Sequence, residues 1–128
     1  MGDRAHIIFT NGLSVSSTIY LHWDGHNVPD YIRSLRQMAQ DEQEICPGYA
    51  AARFIGIAHA DIPGVMSLGV FNTAPDVAEA ILERNGERLA DLSDGDAGLV
   101  LVSTKDYSWE AHGGYLAEEG SVMSEVAS

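Results

Sequence analysis

The sequence predicts one α+β domain, and three observations carry that prediction. Short apolar runs closed by turn signals lie near both ends, helix-spaced apolar residues fill the middle, and an apolar run begins at Leu99. The element order is ββααβαββ. Hairpins at both ends imply a mainly antiparallel sheet with helices packed on one face. At 128 residues a single domain buries roughly two-thirds of its unfolded surface. The domain is expected over residues 1–116, with 117–128 a flexible C-terminal tail.

His6 to Thr10 forms the first strand, and Asn11-Gly12 tolerates positive φ, so a tight reversal is expected there. The return strand, Ser17 to Trp23, alternates Ile19, Leu21 and Trp23 on a core face with Tyr20, His22 and Asp24 on the other. Gly25 to Val28 reads as a loop. Pro29 suits a first helical turn, where its missing amide hydrogen would have no intrahelical partner. Ile32, Leu35 and Met38 or Ala39 give that helix its buried stripe. Gln40 to Glu44 separates it from a second helix, Gly48 to His59, with Ala50, Phe54, Ile57 and Ala58 on its apolar face. Ile62-Pro63-Gly64 closes that unit.

Val65 to Phe71 reads as a strand, and Pro75 opens a third helix capped by Asn72 or Thr73. Val77, Ile81 and Leu82 point inward. A helix continuous through Asn85-Gly86 would stack Asp76, Glu79, Glu83, Glu87 and Asp91 along one face. Glycine weakens a helix interior by about 1 kcal/mol, so two shorter helices are the alternative. A loop over residues 93–98 leads to Leu99–Thr104, which suits a central strand covered on both faces. Lys105-Asp106 then turns the chain. Tyr107, Trp109 and Ala111 alternate with Ser108, Glu110 and His112 as the last strand. Gly113-Gly114-Tyr115 permits a bend or close backbone approach, and glycines there are also ordinary turn material.

Nineteen acids against seven bases give a net charge of −12. The imbalance is concentrated in the second half, where Asp and Glu far outnumber Arg and Lys. Such a surface repels nucleic-acid phosphates and anionic lipid, so direct binding to either is not expected, and neither is a membrane association. No apolar run approaches the roughly 20 residues of a bilayer span. Met1-Gly2-Asp3-Arg4 does not open a secretory leader, and the lone Cys46 offers no internal disulfide, so a cytoplasmic location is expected.

The segment His22-Trp23-Asp24-Gly25-His26 sets three metal-capable side chains at alternate positions. In an extended strand they project to one side about 6.6 to 7 Å apart, so an ion can sit between them only if the chain bends at Gly25. Two imidazoles and a carboxylate suit zinc or another divalent transition metal with one position open for water. His59, Asp61 and His112 are further candidate ligands. The competing reading is structural, with Asp24 capping a turn and Trp23 anchoring the core. Arg4 and Arg53 need carboxylate partners, for which Asp3, Asp24 and Asp96 are candidates, or else meet an anionic ligand beside the histidines. Serine-elbow, phosphate-loop and dinucleotide glycine patterns are absent from the sequence.

Met1-Gly2-Asp3-Arg4-Ala5, His22 to His26, Tyr49 with Ala51-Ala52-Arg53-Phe54, and Gly95-Asp96-Ala97-Gly98 before Val100 to Val102 together resemble a family of small uncharacterised proteins of bacteriophages, prophages and bacteria. The resemblance extends to about Tyr115 and leaves out the acidic helix. It implies that Asp3, Arg4, His22, Asp24, His26, Arg53 and Asp96 converge near one sheet end. The leading expectation is a non-enzymatic phage or mobile-element protein that binds a host or phage protein. It would inhibit a defence factor by protein contact or DNA mimicry, through the acidic face of Asp76, Glu79, Glu83, Glu87 and Asp91, without a cofactor. A divalent-metal or ligand-dependent enzyme centred on His22, Asp24 and His26 is the second reading, and an oligomeric assembly component the third. The oligomeric state is left open.

Overall fold

The middle of the sheet is a parallel pair, formed by β1 (Ala5–Thr10) and β4 (Gly98–Ser103), and it is the most buried part of the chain. The computed structural model describes residues 3–39, 46–61, 68–93 and 96–118. Around the central pair lie β2 (Thr18–Leu21), β3 (Leu68–Phe71) and β5 (Trp109–His112), in the order β3-β2-β1-β4-β5. The other three ladders are antiparallel, as the hairpin signals predict. The α+β class in a single domain is as expected, and the element order differs mainly by a split third helix and a short final one.

Helices α1 (Val28–Met38) and α2 (Pro47–Asp61) cover one face. There Ile7, Phe9, Ile19, Leu21, Val100 and Val102 meet Ile32, Leu35, Ala50, Phe54 and Ala58 in one core cluster. The Phe54 ring sits edge-on to Phe9 and Tyr31, with centroids 5.8 and 5.9 Å away. The expectation of helices on one face is incomplete. Helices α3 (Pro75–Leu82) and α4 (Gly86–Leu92) cover the opposite face, where Ala80, Ile81 and Leu89 pack on Ile8 and Leu99. The reason is topological. Because β3 and β4 both run parallel to β1, the chain between them must cross the sheet, and α3–α4 supply that crossover.

Several local expectations meet a different geometry. Asn11 turns the chain through its side chain, whose Oδ1 accepts from the backbone N–H groups of Leu13 and Ser14 at 2.9 Å each, so β2 starts only at Thr18. That strand ends at Leu21, two residues before Trp23. The alternation therefore stops short, and Trp23 is 52% exposed, edge-on to His22, instead of anchoring the core. Ala39, the C-cap just past α1, is the buried one of the pair, and Met38 is exposed. Ala74, not Asn72 or Thr73, occupies the α3 N-cap, without a side-chain bond, and Leu82 is exposed. The expectations for Gln40–Glu44, Ile62-Pro63-Gly64, the start of the third strand and the tail from 119 onward lie outside the described residues. Leu116, in α5 (Tyr115–Glu118), is buried against the main core.

The acidic helix is not continuous. It stops at Leu82 and restarts at Gly86, because Asn85 caps α4 by accepting from the Arg88 N–H at 3.1 Å. Arg84 bridges the break with φ 57°, a left-handed conformation that favours glycine. Strain relief of roughly 1–2 kcal/mol against a glycine entropy loss of roughly 0.5–1 kcal/mol gives Arg84→Gly a net gain of about 0.5–1 kcal/mol. Urea unfolding, read as a raised midpoint at unchanged slope, checks it.

Candidate functional site

Asp3 and Arg4 extend β1 beyond its first ladder pair and are gripped from both sides. On one side the Asp3 N–H donates to the His22 carbonyl at 2.7 Å and the Gly25 N–H donates to the Asp3 carbonyl at 2.8 Å. On the other, the Ala97 N–H donates to the Arg4 carbonyl at 2.8 Å. The Asp96 carboxylate accepts from the Arg4 backbone N–H at 3.1 Å and lies 3.5 Å from its guanidinium Nε. Residues 3–4, 22–25 and 96–97, which flank β1, β2 and β4, thus meet at one sheet end.

The Asp3 carboxylate ties this end together. Its Oδ2 accepts from the His26 backbone N–H at 2.9 Å and lies 2.6 Å from His26 Nδ1, while Tyr115 Oη donates to Oδ1 at 2.5 Å. An ionised carboxylate only accepts, so Nδ1 is the protonated ring nitrogen of His26. Burial raises the Asp3 carboxyl, but the bonds from Tyr115 and His26 outweigh it and hold the group below its ordinary 3.8. A carboxylate so depressed, with donors on both oxygens, is a weak base and an effective cross-link. Tyr115, given little weight in the sequence, closes the network from the far end of the chain.

Two backbone close approaches explain the glycines here. A Cβ on Gly25 would lie 2.6 Å from the Asp3 carbonyl oxygen and 2.9 Å from Ala97 Cβ. Gly98, at φ 105°, presses on Gly114, where a Cβ would fall 2.7 Å from the Gly114 nitrogen. The Gly113-Gly114 pair is therefore a packing requirement and not turn material alone. Its N–H and carbonyl neighbours carry α5 onto the site: Tyr115 N donates to the Asp96 carbonyl at 3.1 Å and Leu116 N to that of Ala97 at 3.3 Å.

Of the seven residues expected to converge, Asp3, Arg4, His26 and Asp96 do so through their side chains. His22 joins through its carbonyl, while its ring turns to Tyr20, with Nδ1 2.6 Å from the hydroxyl. Asp24 makes no side-chain cap; its Oδ1 lies 3.4 Å from Asn27 Nδ2. It also helps keep the Tyr31 hydroxyl above its ordinary value, behind the larger effects of burial and the 2.7 Å bond to Asp61. Arg53 sits half-buried in α2, next in sequence to the core residue Phe54. His22, Asp24 and His26 have separate partners because the 3-10 turn at Gly25–Asn27 rotates them out of strand register. Among the described residues no three His, Cys, Asp or Glu side chains are grouped to hold an ion.

The remaining candidates lie elsewhere. Asp76, Glu79, Glu83, Glu87 and Asp91 are all exposed but are shared between α3, the α3–α4 junction and α4, so no single five-carboxylate helix stripe exists. Glu79 is paired with Arg88 at 3.0 Å. His112 Nε2 lies 2.9 Å from Glu110 Oε2, and this bond, against the opposing effect of burial, lowers the Glu110 carboxyl. Among the described residues no helix is long and apolar enough to cross a membrane.

Gly25→Ala is expected to destabilise the fold by about 2 kcal/mol in urea unfolding, as overpacking against backbone does, whereas Gly48→Ala, in open space on the exposed surface of α2, is expected to hold or raise the midpoint, by up to about 1 kcal/mol. Asp3→Asn is expected to lose about 2 kcal/mol at pH 7, the scale of hydrogen bonds to a charged group. Because the folded carboxyl is depressed below 3.8, the contribution is complete above the unfolded value and disappears as pH falls through the folded one. The stability gap between Asp3→Asn and the parent should therefore close in acid, below pH 4. Comparison with protein-family models, curated proteins and solved structures finds no match for this chain.

Proposed function

We propose that this is a small non-enzymatic binding protein of the phage or mobile-element type, acting in the cytoplasm by holding a basic surface of a host protein. The observation that carries the reading is the α3–α4 unit. Its five carboxylates, Asp76, Glu79, Glu83, Glu87 and Asp91, are all exposed, and the Asn85 cap holds the junction between the two helices. The net charge of −12 adds a long-range field that steers a cationic partner and repels nucleic acid. A defence factor that binds DNA is the partner class such a field suits, because its own phosphate-binding surface is basic. The Asp3 cluster, in this reading, supports the sheet that carries the acidic unit.

The test is capture from host lysate at graded salt by the parent and by a variant neutralised at all five positions (Asp76→Asn, Glu79→Gln, Glu83→Gln, Glu87→Gln, Asp91→Asn). One defined host protein is expected to be captured by the parent, to weaken steeply as salt rises, and to be lost with the variant, whereas Asp30→Asn retains it. Equal capture by the parent and the fivefold variant would sink the reading. Urea unfolding of the variant shows that its fold is intact.

A further inference from the structure

We propose that the cleft beyond the carboxyl ends of β1 and β4 binds a small organic anion with an apolar body, of the medium-chain carboxylate class. The cleft has a volume of about 410 Å³ and lies between the end of β1, the turn after β4 and the α3–α4 junction. That volume falls within the roughly 300–1,000 Å³ of small-molecule sites. Ile81 and Leu89 are buried at its base, with Leu101 beside them, and the exposed Arg84 and Lys105 stand at its mouth.

Charge makes the site specific. The chain has seven bases among nineteen acids, and Arg4, Arg33 and Arg88 are each within ion-pair distance of a carboxylate. Among the described residues Arg84 and Lys105 make no such pair, and both line this one cleft. Glu110 also lines it; His112 engages its carboxylate at 2.9 Å, and the Arg84 charge acts on it from beyond ion-pair distance. The Ser103 hydroxyl oxygen accepts from the Lys105 N–H at 3.2 Å, leaving the hydroxyl hydrogen free to donate to a ligand.

Two further observations point the same way. Arg84 holds a left-handed backbone, φ 57°, at a helix end where glycine is the unstrained choice. Strain retained at a cleft marks a side chain whose position matters. The two parallel strands also send their chains to opposite neighbours, β1 to β2 and β4 to β5. The cleft lies where these two turns part, lined by Thr10, Asn11 and Gly12 from one and by Ser103 and Lys105 from the other. A guanidinium fork and an ammonium suit a carboxylate head, and the four aliphatic side chains, Ile81, Leu82, Leu89 and Leu101, suit methylene groups.

Octanoate is the probe, titrated into the full-length protein labelled with nitrogen-15. Saturable shifts are expected at the amides of Arg84, Gly86, Leu101 and Lys105, with octanol and inorganic phosphate each binding at least tenfold more weakly. Arg84→Gly keeps the backbone conformation while removing the guanidinium, and it should weaken octanoate roughly tenfold, the scale of one charge-assisted bond. Lys105→Gln should act in the same direction. Shifts that do not saturate or that map to another surface would overturn the site. Octanol binding as tightly as octanoate would overturn the role of the cations, and phosphate binding as tightly would overturn the apolar body. Unchanged affinity in both variants would do the same for the pair Arg84 and Lys105.

Discussion

The parallel ladder between β1 and β4 is the constraint on which the other features depend. Its register runs from Ala5 opposite Gly98 to Thr10 opposite Ser103, and a slip of one residue would send each apolar face to the wrong helical layer. Both faces of β1 are buried, with Ile7 and Phe9 toward α1 and α2 and Ile8 toward α3 and α4. A parallel pair cannot be closed by a hairpin, so the crossover helices are a geometric necessity as well as a source of apolar cover. Their junction, with its capping Asn85 and left-handed Arg84, is thereby fixed over the sheet.

The same ladder produces two ends of opposite character. At its amino end the strands are locked together: Asp3 and Arg4 are bonded to residues 22–26 on one side and to Asp96 and Ala97 on the other, and the Asp3 carboxylate is saturated with donors. At its carboxyl end the chains diverge, and the space between them is lined by Arg84 and Lys105, neither within ion-pair distance of a carboxylate among the described residues, and by Glu110, which His112 engages. Polar groups that have satisfied one another hold structure, whereas charges left toward an open cleft retain the capacity to bind. The polar residues gathered at the amino end accordingly read as architecture.

Local chemistry was legible along much of the chain. Pro29 and Pro75 fall in the first turns of their helices, Asn85-Gly86 divides α3 from α4, and the Leu99 run is an interior strand. These signals act through a few neighbouring residues, so the sequence displays them directly. The parallel pairing was not legible, because strand partners distant in sequence leave no local mark, and the second helical layer went unanticipated with it. Trp23 was misplaced because alternation says which face a strand residue takes but not where the strand stops. Part of the site was visible in the Gly25 and Gly113-Gly114 positions, whose steric meaning needs the opposing backbone. Arg84 and Lys105 belong to different elements, and only the fold brings them to one cleft. The signal that could have flagged Arg84 was its place just before Asn85-Gly86, where a helix end ordinarily takes glycine.

The clasp at Asp3 also sets an order in time. Asp3 and Tyr115 are 112 positions apart and Arg4 and Asp96 are 92 apart, so neither contact exists until a ribosome has delivered nearly the whole described chain. During synthesis β1 can pair with β2 but not with β4, and its Ile7-Ile8-Phe9 segment waits with one edge unpaired. Contacts of such long sequence separation slow folding and leave apolar edges open to other nascent chains. The finished structure conceals this interval, in which one edge of β1 lies open until β4 has been made.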